Sequence, residues 1–182
     1  PWSIFWRSMG LLSLFKSVQD IDDMEWGHNQ PRQCDWVPGC YYLIRKEVID
    51  EVGLFDPRYF LYYEEVDHCF ATKKAGWQVH FYADTTVVHI GGESAKTEGT
   101  LSLVGGQLDV LKNESELLYF RKNFGHRSVL THLVLSTFVD IVNLIKRLIK
   151  LKVDARLKGA FKRSYLLWSL YFKTRLATTA TR

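Results

Sequence analysis

The sequence predicts an α/β domain over residues 1–127, followed by a helical tail over residues 128–182. Short runs rich in aromatic and β-branched residues alternate with helical patterns up to about residue 125. Beyond that point, apolar residues recur at helical spacing. The charge also changes sign, because residues 1–100 hold 9 Lys/Arg and 15 Asp/Glu, whereas residues 101–182 hold 15 and 5. A chain of 182 residues, 47% of them hydrophobic, can bury one core and carry an appendage.

The N-terminal part of the domain has weak local signals until a turn at Pro38-Gly39. Residues 1–33 show no sustained periodicity, so we expect a loop or lid there. The aromatic and β-branched run over residues 40–44 predicts a short buried strand after the turn. Residues 45–52 then predict a short helix that ends at Gly53.

The next predicted helix, over residues 64–75, begins with three acidic side chains, Glu64, Glu65 and Asp67, and ends before Gly76. Carboxylates are electrostatically favoured at a helix N-terminus, so the acids could serve the helix alone.

Two strands and another helix are predicted after this acidic helix. The strands cover residues 78–82 and 85–90. A loop follows to about residue 105, and Asn113-Glu114-Ser115-Glu116 resembles a capping box that starts a helix ending at Gly125.

The tail combines a long apolar helix face over residues 128–151 with a basic end. Residues 146–182 hold 11 Lys/Arg and one acid, and residues 165–172 form an aromatic, apolar wedge between cations. This pattern is typical of a helix that lies in the plane of an anionic membrane surface. Packing onto another domain or subunit is the second interpretation. A true membrane span is the third, and it is disfavoured because His132, Asp140 and Asn143 interrupt a short apolar run.

Cysteine usage and the start of the chain indicate its surroundings. Cys34, Cys40 and Cys69 form no CxxC pair, so we expect free, mostly buried thiols in a reducing compartment. The chain begins at Pro1 without a signal peptide pattern, which indicates a fragment or a processed chain rather than a secreted protein.

Two features could carry chemistry: the acids Glu64-Glu65-x-Asp67, and His89 in front of Gly91-Gly92. Each alone is more often structural, since acid clusters are usually solvated and a strand-end histidine usually packs. Together they suit sugar transfer. A hydroxyl nucleophile needs a carboxylate base, and a departing nucleoside diphosphate needs a divalent cation.

The order of several motifs resembles the C-terminal half of family 2 glycosyltransferases of the GT-A fold, which is Rossmann-like, and especially their rhamnosyltransferase-like branch. The resemblance covers roughly residues 34–127. Its motifs are Asp35-Trp36-Val37-Pro38-Gly39-Cys40, Leu43-Ile44-Arg45-Lys46-Glu47-Val48, Val52-Gly53-Leu54-Phe55-Asp56, Phe60-Leu61-Tyr62-Tyr63-Glu64-Glu65-Val66-Asp67, Lys74-Ala75-Gly76, Val88-His89-Ile90-Gly91-Gly92-Glu93-Ser94 and Leu118-Tyr119-Phe120-Arg121-Lys122-Asn123-Phe124-Gly125.

The resemblance implies an inverting, metal-dependent transfer from a nucleotide-sugar donor to a hydroxyl of a glycan or lipid-linked acceptor. It implies that Glu65, a position where the family more often has Asp, is the catalytic base and that Glu64 tunes it. Asp67 would start the helix and bond to the acceptor or backbone. His89 would be the ligand of a divalent metal, Mn or Mg.

Trp36 and Gly39 would line the acceptor region, because an indole face suits a sugar ring and glycine lets the backbone come close. The family's donor half and its Asp-x-Asp motif are expected to be cut away. Asp20-Ile21-Asp22 has the right letters but lies before the acceptor segment. We therefore expect the chain alone to be inactive.

The expected setting is cell-envelope or extracellular polysaccharide synthesis at the cytoplasmic face of the membrane, with the tail on anionic lipid. The sequence also fits two other functions less well. One is a catalytically silent module with the same fold that binds a membrane surface or a partner. The other is nucleic-acid binding by the basic tail, which we do not expect because no DNA- or RNA-binding motif accompanies it.

Overall fold

A computed structural model describes residues 2–9, 26–88, 106–149 and 161–181. They fall into two compact units, the central unit of residues 26–88 and the helical unit of residues 2–9, 106–149 and 161–181. In chain order the elements are α1 Trp2–Met9, β1 Arg32–Gln33, α2 Lys46–Val52, α3 Glu64–Lys74, β2 His80–Phe81, α4 Gln107–Ile149 and α5 Lys162–Lys173.

The two predicted helices of the central unit are confirmed as α2 and α3. Each is followed by a glycine with a positive φ, 89° at Gly53 and 92° at Gly76, a conformation that other residues adopt only with strain. The last turn of α3 also carries Lys73 and Lys74, which favour the negative end of the helix dipole.

The predicted strands are mostly wrong. Residues 40–44 form a turn and irregular backbone, and residues 85–88 form no strand. The strand predicted at residues 78–82 is present only as β2, which pairs antiparallel with β1, Arg32 opposite Phe81 and Gln33 opposite His80. Aromatic and β-branched composition favours a strand only where a neighbouring strand is available for pairing.

Long-range contacts tie the central unit together around α3. The Cys34 N–H donates to the Val79 carbonyl at 3.0 Å and extends the pairing of β1 with β2. The Trp77 indole N–H donates to Glu51 Oε2 at 2.8 Å and connects the segment after α3 to α2. Cys34, Cys40 and Cys69 are free thiols, as predicted, although only Cys69 is buried.

In the helical unit, α4 is broken at Gly125, where φ is 79° and ψ is 178°. The break separates helical segments 107–124 and 126–149. Glu116 and His132, on opposite sides of it, approach to 3.6 Å, so the chain folds back on itself. The predicted capping box is wrong, because the helix begins six residues earlier at Gln107, and the Asn113 amide donates to the Asp109 carbonyl inside it.

Helix α1 replaces the first part of the loop or lid predicted over residues 1–33. Phe5 is buried, and its ring lies 6.2 Å from that of Phe138 on α4. Apolar residues at helical spacing form the contact, but eight residues are too few for a clear period.

Helix α5 packs antiparallel against segment 126–149. The Ser164 hydroxyl donates to Asp140 at 2.5 Å, the Trp168 indole N–H donates to Thr137 at 3.1 Å, and the Tyr171 hydroxyl lies 2.7 Å from a ring nitrogen of His126. The predicted aromatic wedge is therefore partly internal. The buried core of the unit is formed by Leu117, Phe120, Val129, Leu133, Leu167, Leu170, Tyr171 and Ala177.

The two compact units are not the two predicted segments, because the predicted boundary after residue 127 falls inside α4. By length and composition, one helical stretch of the described chain, Gln107–Lys146, could cross a membrane. Its most apolar window has a mean hydropathy of 1.7.

Candidate functional site

The two tyrosines directly before α3, Tyr62 and Tyr63, have an unusual backbone conformation. Tyr62 and Tyr63 have φ values of 68° and 70°, in the left-handed region that costs a non-glycine residue about 1–3 kcal/mol. Tyr63 precedes the helix and its side chain makes no capping hydrogen bond. Such strain is concentrated at sites where a functional geometry has to be held. Here the strained residues directly precede Glu64 and Glu65, which lie in the first turn of α3.

Glu64 and Glu65 each bury one carboxylate oxygen, Oε2, that has no hydrogen-bond partner in the described part of the chain. Burial raises the pKa of the Glu65 carboxyl above its ordinary value of 4.5, and the neighbouring charge of Glu64 raises it further, while a backbone N–H opposes the shift. A raised pKa gives a carboxylate more basicity when it is ionised. The pair is thus suited to accept a proton.

Gly39 lies against Glu65. A Cβ atom added at Gly39 would lie 4.0 Å from the Cβ of Glu65. An ion pair between Asp35 and Lys73 fastens the segment before Gly39 to the last turn of α3. Trp36, in the same segment, is half-buried. The structure therefore brings Gly39 and Glu65 together and connects the Trp36 segment to the same helix.

Asp67, the third predicted acid, is turned into the unit and is 3% exposed. Its Oδ1 accepts a hydrogen bond from the buried Tyr59 hydroxyl at 3.2 Å. Burial and the Asp67 charge raise the pKa of Tyr59 well above its ordinary value, so the hydroxyl keeps its proton and donates. In this structure Asp67 fixes α3 to the interior of the central unit through its bond with Tyr59, whereas Glu64 and Glu65 form the acidic site.

His68 and Tyr42 form a buried network that the sequence analysis missed. His68 Nε2 lies 3.0 Å from the Gly53 carbonyl, which can only accept, so this nitrogen carries a proton. In the tautomer with its single proton on Nε2, Nδ1 accepts from the Tyr42 hydroxyl at 2.9 Å, whose oxygen lies 3.1 Å from Cys69 Sγ. Burial raises the pKa values of both Tyr42 and Cys69, which keeps both protonated.

A histidine next to Asp67 on the helix was the available signal for this network. The predicted helix period places His68 on the side of α3 that contains Cys69 and Thr72, which are both buried. The network joins the loop containing Tyr42, the end of α2 and the middle of α3. It therefore supports the helix that presents Glu65.

The predicted metal ligand, His89, lies outside the described residues, and so does Asp20-Ile21-Asp22, which only has the letters of the family's motif. Within the described ranges, no group of three or more His, Cys, Asp or Glu side chains could hold a metal ion. Carboxylate oxygens suit Mg²⁺ or Mn²⁺, but Glu64 and Glu65 alone do not complete a coordination shell. The role of His89 remains a prediction.

Comparison with known proteins gives a partial match. A stretch of 58 residues is 38% identical to N-acetylglucosaminyl-diphospho-decaprenol L-rhamnosyltransferase of two Mycobacterium tuberculosis strains. The match covers 32% of this chain and 19% of the relative's length. No family model and no solved structure matches the chain. Part of this protein is therefore related to a glycosyltransferase.

Proposed function

We propose that the chain contributes the acceptor side of an inverting, metal-dependent glycosyltransferase of the GT-A fold, in family 2. The buried, unpartnered carboxylate oxygens of Glu64 and Glu65 beside Gly39 are the observation on which this proposal rests. The order of motifs around them and the partial relative, a rhamnosyltransferase, support the same reaction class. The GT-A fold itself is a proposal from that order of motifs.

The proposed chemistry is a single displacement. The Glu65 carboxylate accepts the proton of the acceptor hydroxyl, and the hydroxyl oxygen bonds to the anomeric carbon of the donor sugar. The bond from that carbon to the nucleoside diphosphate breaks on the opposite face, so the configuration inverts. Glu64 raises the basicity of Glu65, as the direction of its pKa shift indicates.

A divalent cation, when bound, would neutralise charge on the departing diphosphate. His89 is the residue that the motif order assigns to it. The relative is named for a sugar joined through a diphosphate to a polyprenol, so we propose a lipid-linked glycan as the acceptor here. We propose the cytoplasmic face of the cell membrane as the location and polysaccharide assembly as the setting.

The experiment is nucleotide-sugar turnover by the whole natural protein that contains this sequence, with manganese and a polyprenyl-diphosphate sugar acceptor. Wild type is compared with Glu65→Gln and His89→Ala, and with Glu47→Gln as a matched control on the exposed first turn of α2. We expect loss of transfer in the first two variants and none in the control. Full activity of Glu65→Gln with an intact fold would show that Glu65 is not the base, whereas no turnover by the wild type would support the silent module instead.

A further inference from the structure

The outward face of segment 126–149 is apolar from Leu130 to Leu148. Its side chains follow one another at spacings of three and four residues, so they form one stripe on the helix. They are between 37% and 58% exposed: Leu130, Val134, Phe138, Ile141, Ile145 and Leu148. At 1.5 Å per residue, the 18 steps from Leu130 to Leu148 make a stripe about 27 Å long. Helices on a water-facing surface usually place charged and polar side chains there.

The polar residues of this segment lie away from the stripe. Asp140 accepts hydrogen bonds from the Ser164 hydroxyl and backbone N–H of α5 at 2.5 and 3.3 Å. His132 is 1% exposed and lies against Glu116. Three polar residues, His132, Asp140 and Asn143, interrupt the apolar run in the sequence. The fold directs two of them, His132 and Asp140, away from the stripe. The outward stripe is continuous as a result.

Cations frame the stripe. Arg127 is exposed at its first turn and Lys146 near its last, while α5 exposes Arg163 and Lys173. Among the described residues of the helical unit, the exposed carboxylate is Asp109, in the first turn of segment 107–124. An apolar surface about 27 Å long, edged by cations, complements a lipid surface with anionic head groups.

The position of α5 distinguishes a helix lying in the membrane plane from one that crosses it. Asp140 is at the middle of the stripe, and its bonds to Ser164 hold the neighbouring Arg163 at the same level. If segment 126–149 crossed the bilayer, the exposed residue Arg163 would be carried to its centre, where charge is strongly disfavoured. If the segment lies in the plane, the cations of α5 can remain among the head groups.

We propose that the stripe from Leu130 to Leu148 is the surface by which the helical unit lies in the interface of an anionic membrane. The inference is independent of sugar transfer. It narrows the predicted lipid contact from the whole tail, residues 128–182, to segment 126–149, because Leu167, Leu170 and Tyr171 of the wedge are buried within the unit.

The experiment is cosedimentation of the full chain with vesicles of phosphatidylcholine alone or mixed with phosphatidylglycerol. The stripe variant carries Val134→Ser, Ile141→Ser and Ile145→Ser. A first control carries Leu43→Ser and Leu54→Ser, which are 82% and 67% exposed on the central unit. A second carries Tyr165→Ser and Phe172→Ser, the exposed aromatic residues of α5. Helical circular dichroism checks that each variant is folded.

We expect the full chain to favour the anionic vesicles, the stripe variant to bind them at least ten-fold more weakly, and both controls to bind like wild type. Carbonate at high pH should release the bound chain, as it does for surface-bound proteins. Unchanged binding by the stripe variant, equal loss in the α5 control, or equal binding to both vesicle types would overturn the proposal. Resistance to carbonate would indicate a span. A stable dimer that does not bind vesicles would assign the stripe to a second copy.

Discussion

Carboxylates of the helical unit accept hydrogen bonds from distant residues, whereas two in the central unit each bury an oxygen that accepts none among the described residues. Glu114 accepts hydrogen bonds from the Thr181 backbone and hydroxyl at 3.2 and 2.6 Å, and Asp140 accepts two from Ser164. In the central unit, Glu64 and Glu65 each bury an oxygen that has no hydrogen-bond partner among the described residues. Thr181 thus bonds to both oxygens of Glu114 and Ser164 bonds twice to Oδ2 of Asp140, whereas the Oε2 atoms of Glu64 and Glu65 accept no bond among the described residues.

The difference separates two reasons for burying a charge. A partnered carboxylate joins distant parts of the chain, as Glu114 joins the start of α4 to the C-terminal end. An unpartnered one costs stability and persists in natural proteins mostly where a ligand or a reaction needs it. Burial is the main cause of the raised pKa of Glu65, which means that the fold disfavours the ionised carboxylate.

The largest expected effect is the loss of sugar transfer in the Glu65→Gln variant. Removing a general base lowers kcat by about 10²- to 10⁴-fold. Stability should not fall with it. A carboxyl whose pKa is raised in the folded state stabilises the fold only at low pH, and that contribution is lost as pH rises through the raised pKa. At neutral pH the amide should therefore leave the free energy of unfolding unchanged or increase it.

Both quantities are measured on one preparation, by turnover and by urea unfolding. Glu47→Gln, on the exposed first turn of α2, makes the same chemical change outside the site. A large loss of stability in Glu65→Gln would mean that its carboxylate has structural partners after all. The comparison between the two units would then fail.

Replacing Asp140, a carboxylate that accepts hydrogen bonds, should in contrast reduce stability. Asp140→Ala leaves the backbone N–H and hydroxyl of Ser164 without their acceptor, and should reduce the free energy of unfolding by about 1–3 kcal/mol. Urea unfolding of Asp140→Ala, Ser164→Ala and the double variant gives the coupling energy. Additive effects of the two changes would contradict a direct contact between the side chains.

The sequence was sufficient where the signal is local. Helix α3 was predicted to within one residue because acids begin it, lysines end it and Gly76 follows. The same pattern placed Glu64 and Glu65 together in its first turn. The proximity of Gly39 to Glu65 followed only from the family resemblance, since the two residues are far apart in sequence and no local rule joins them.

The sequence was insufficient where the outcome depends on packing. Leu167 and Leu170 look the same in sequence whether they face lipid or another helix. Their burial depends on polar contacts such as Asp140 with Ser164 and Thr137 with Trp168, which join residues 24 and 31 positions apart. The strand predicted over residues 40–44 failed for a similar reason, because a strand also needs a neighbour to pair with.

A smaller effect, on stability, is expected when the hydrogen-bond network of Tyr42, His68 and Cys69 is changed. Tyr42→Phe removes the hydroxyl between His68 Nδ1 and Cys69 Sγ and should destabilise the central unit by about 0.5–1.5 kcal/mol. Tyr41→Phe is the matched control, because Tyr41 is its neighbour and is 48% exposed. Thermal unfolding of the two variants compares them directly. Equal midpoints would mean that the buried hydroxyl contributes nothing to the support of α3.

The smallest expected effect distinguishes the two members of the acidic pair. The Glu64 charge raises the pKa of Glu65, but burial is the larger cause. The Glu64→Gln variant should therefore move the acid limb of the kcat/KM profile to lower pH, while the limb stays above 4.5, the ordinary value for a glutamate. At higher pH, where Glu65 is ionised in both proteins, the rates should be close. An acid limb that stays in place would mean that the two carboxylates do not interact, and one that moves upward would mean that Glu64 donates to Glu65 rather than repelling it.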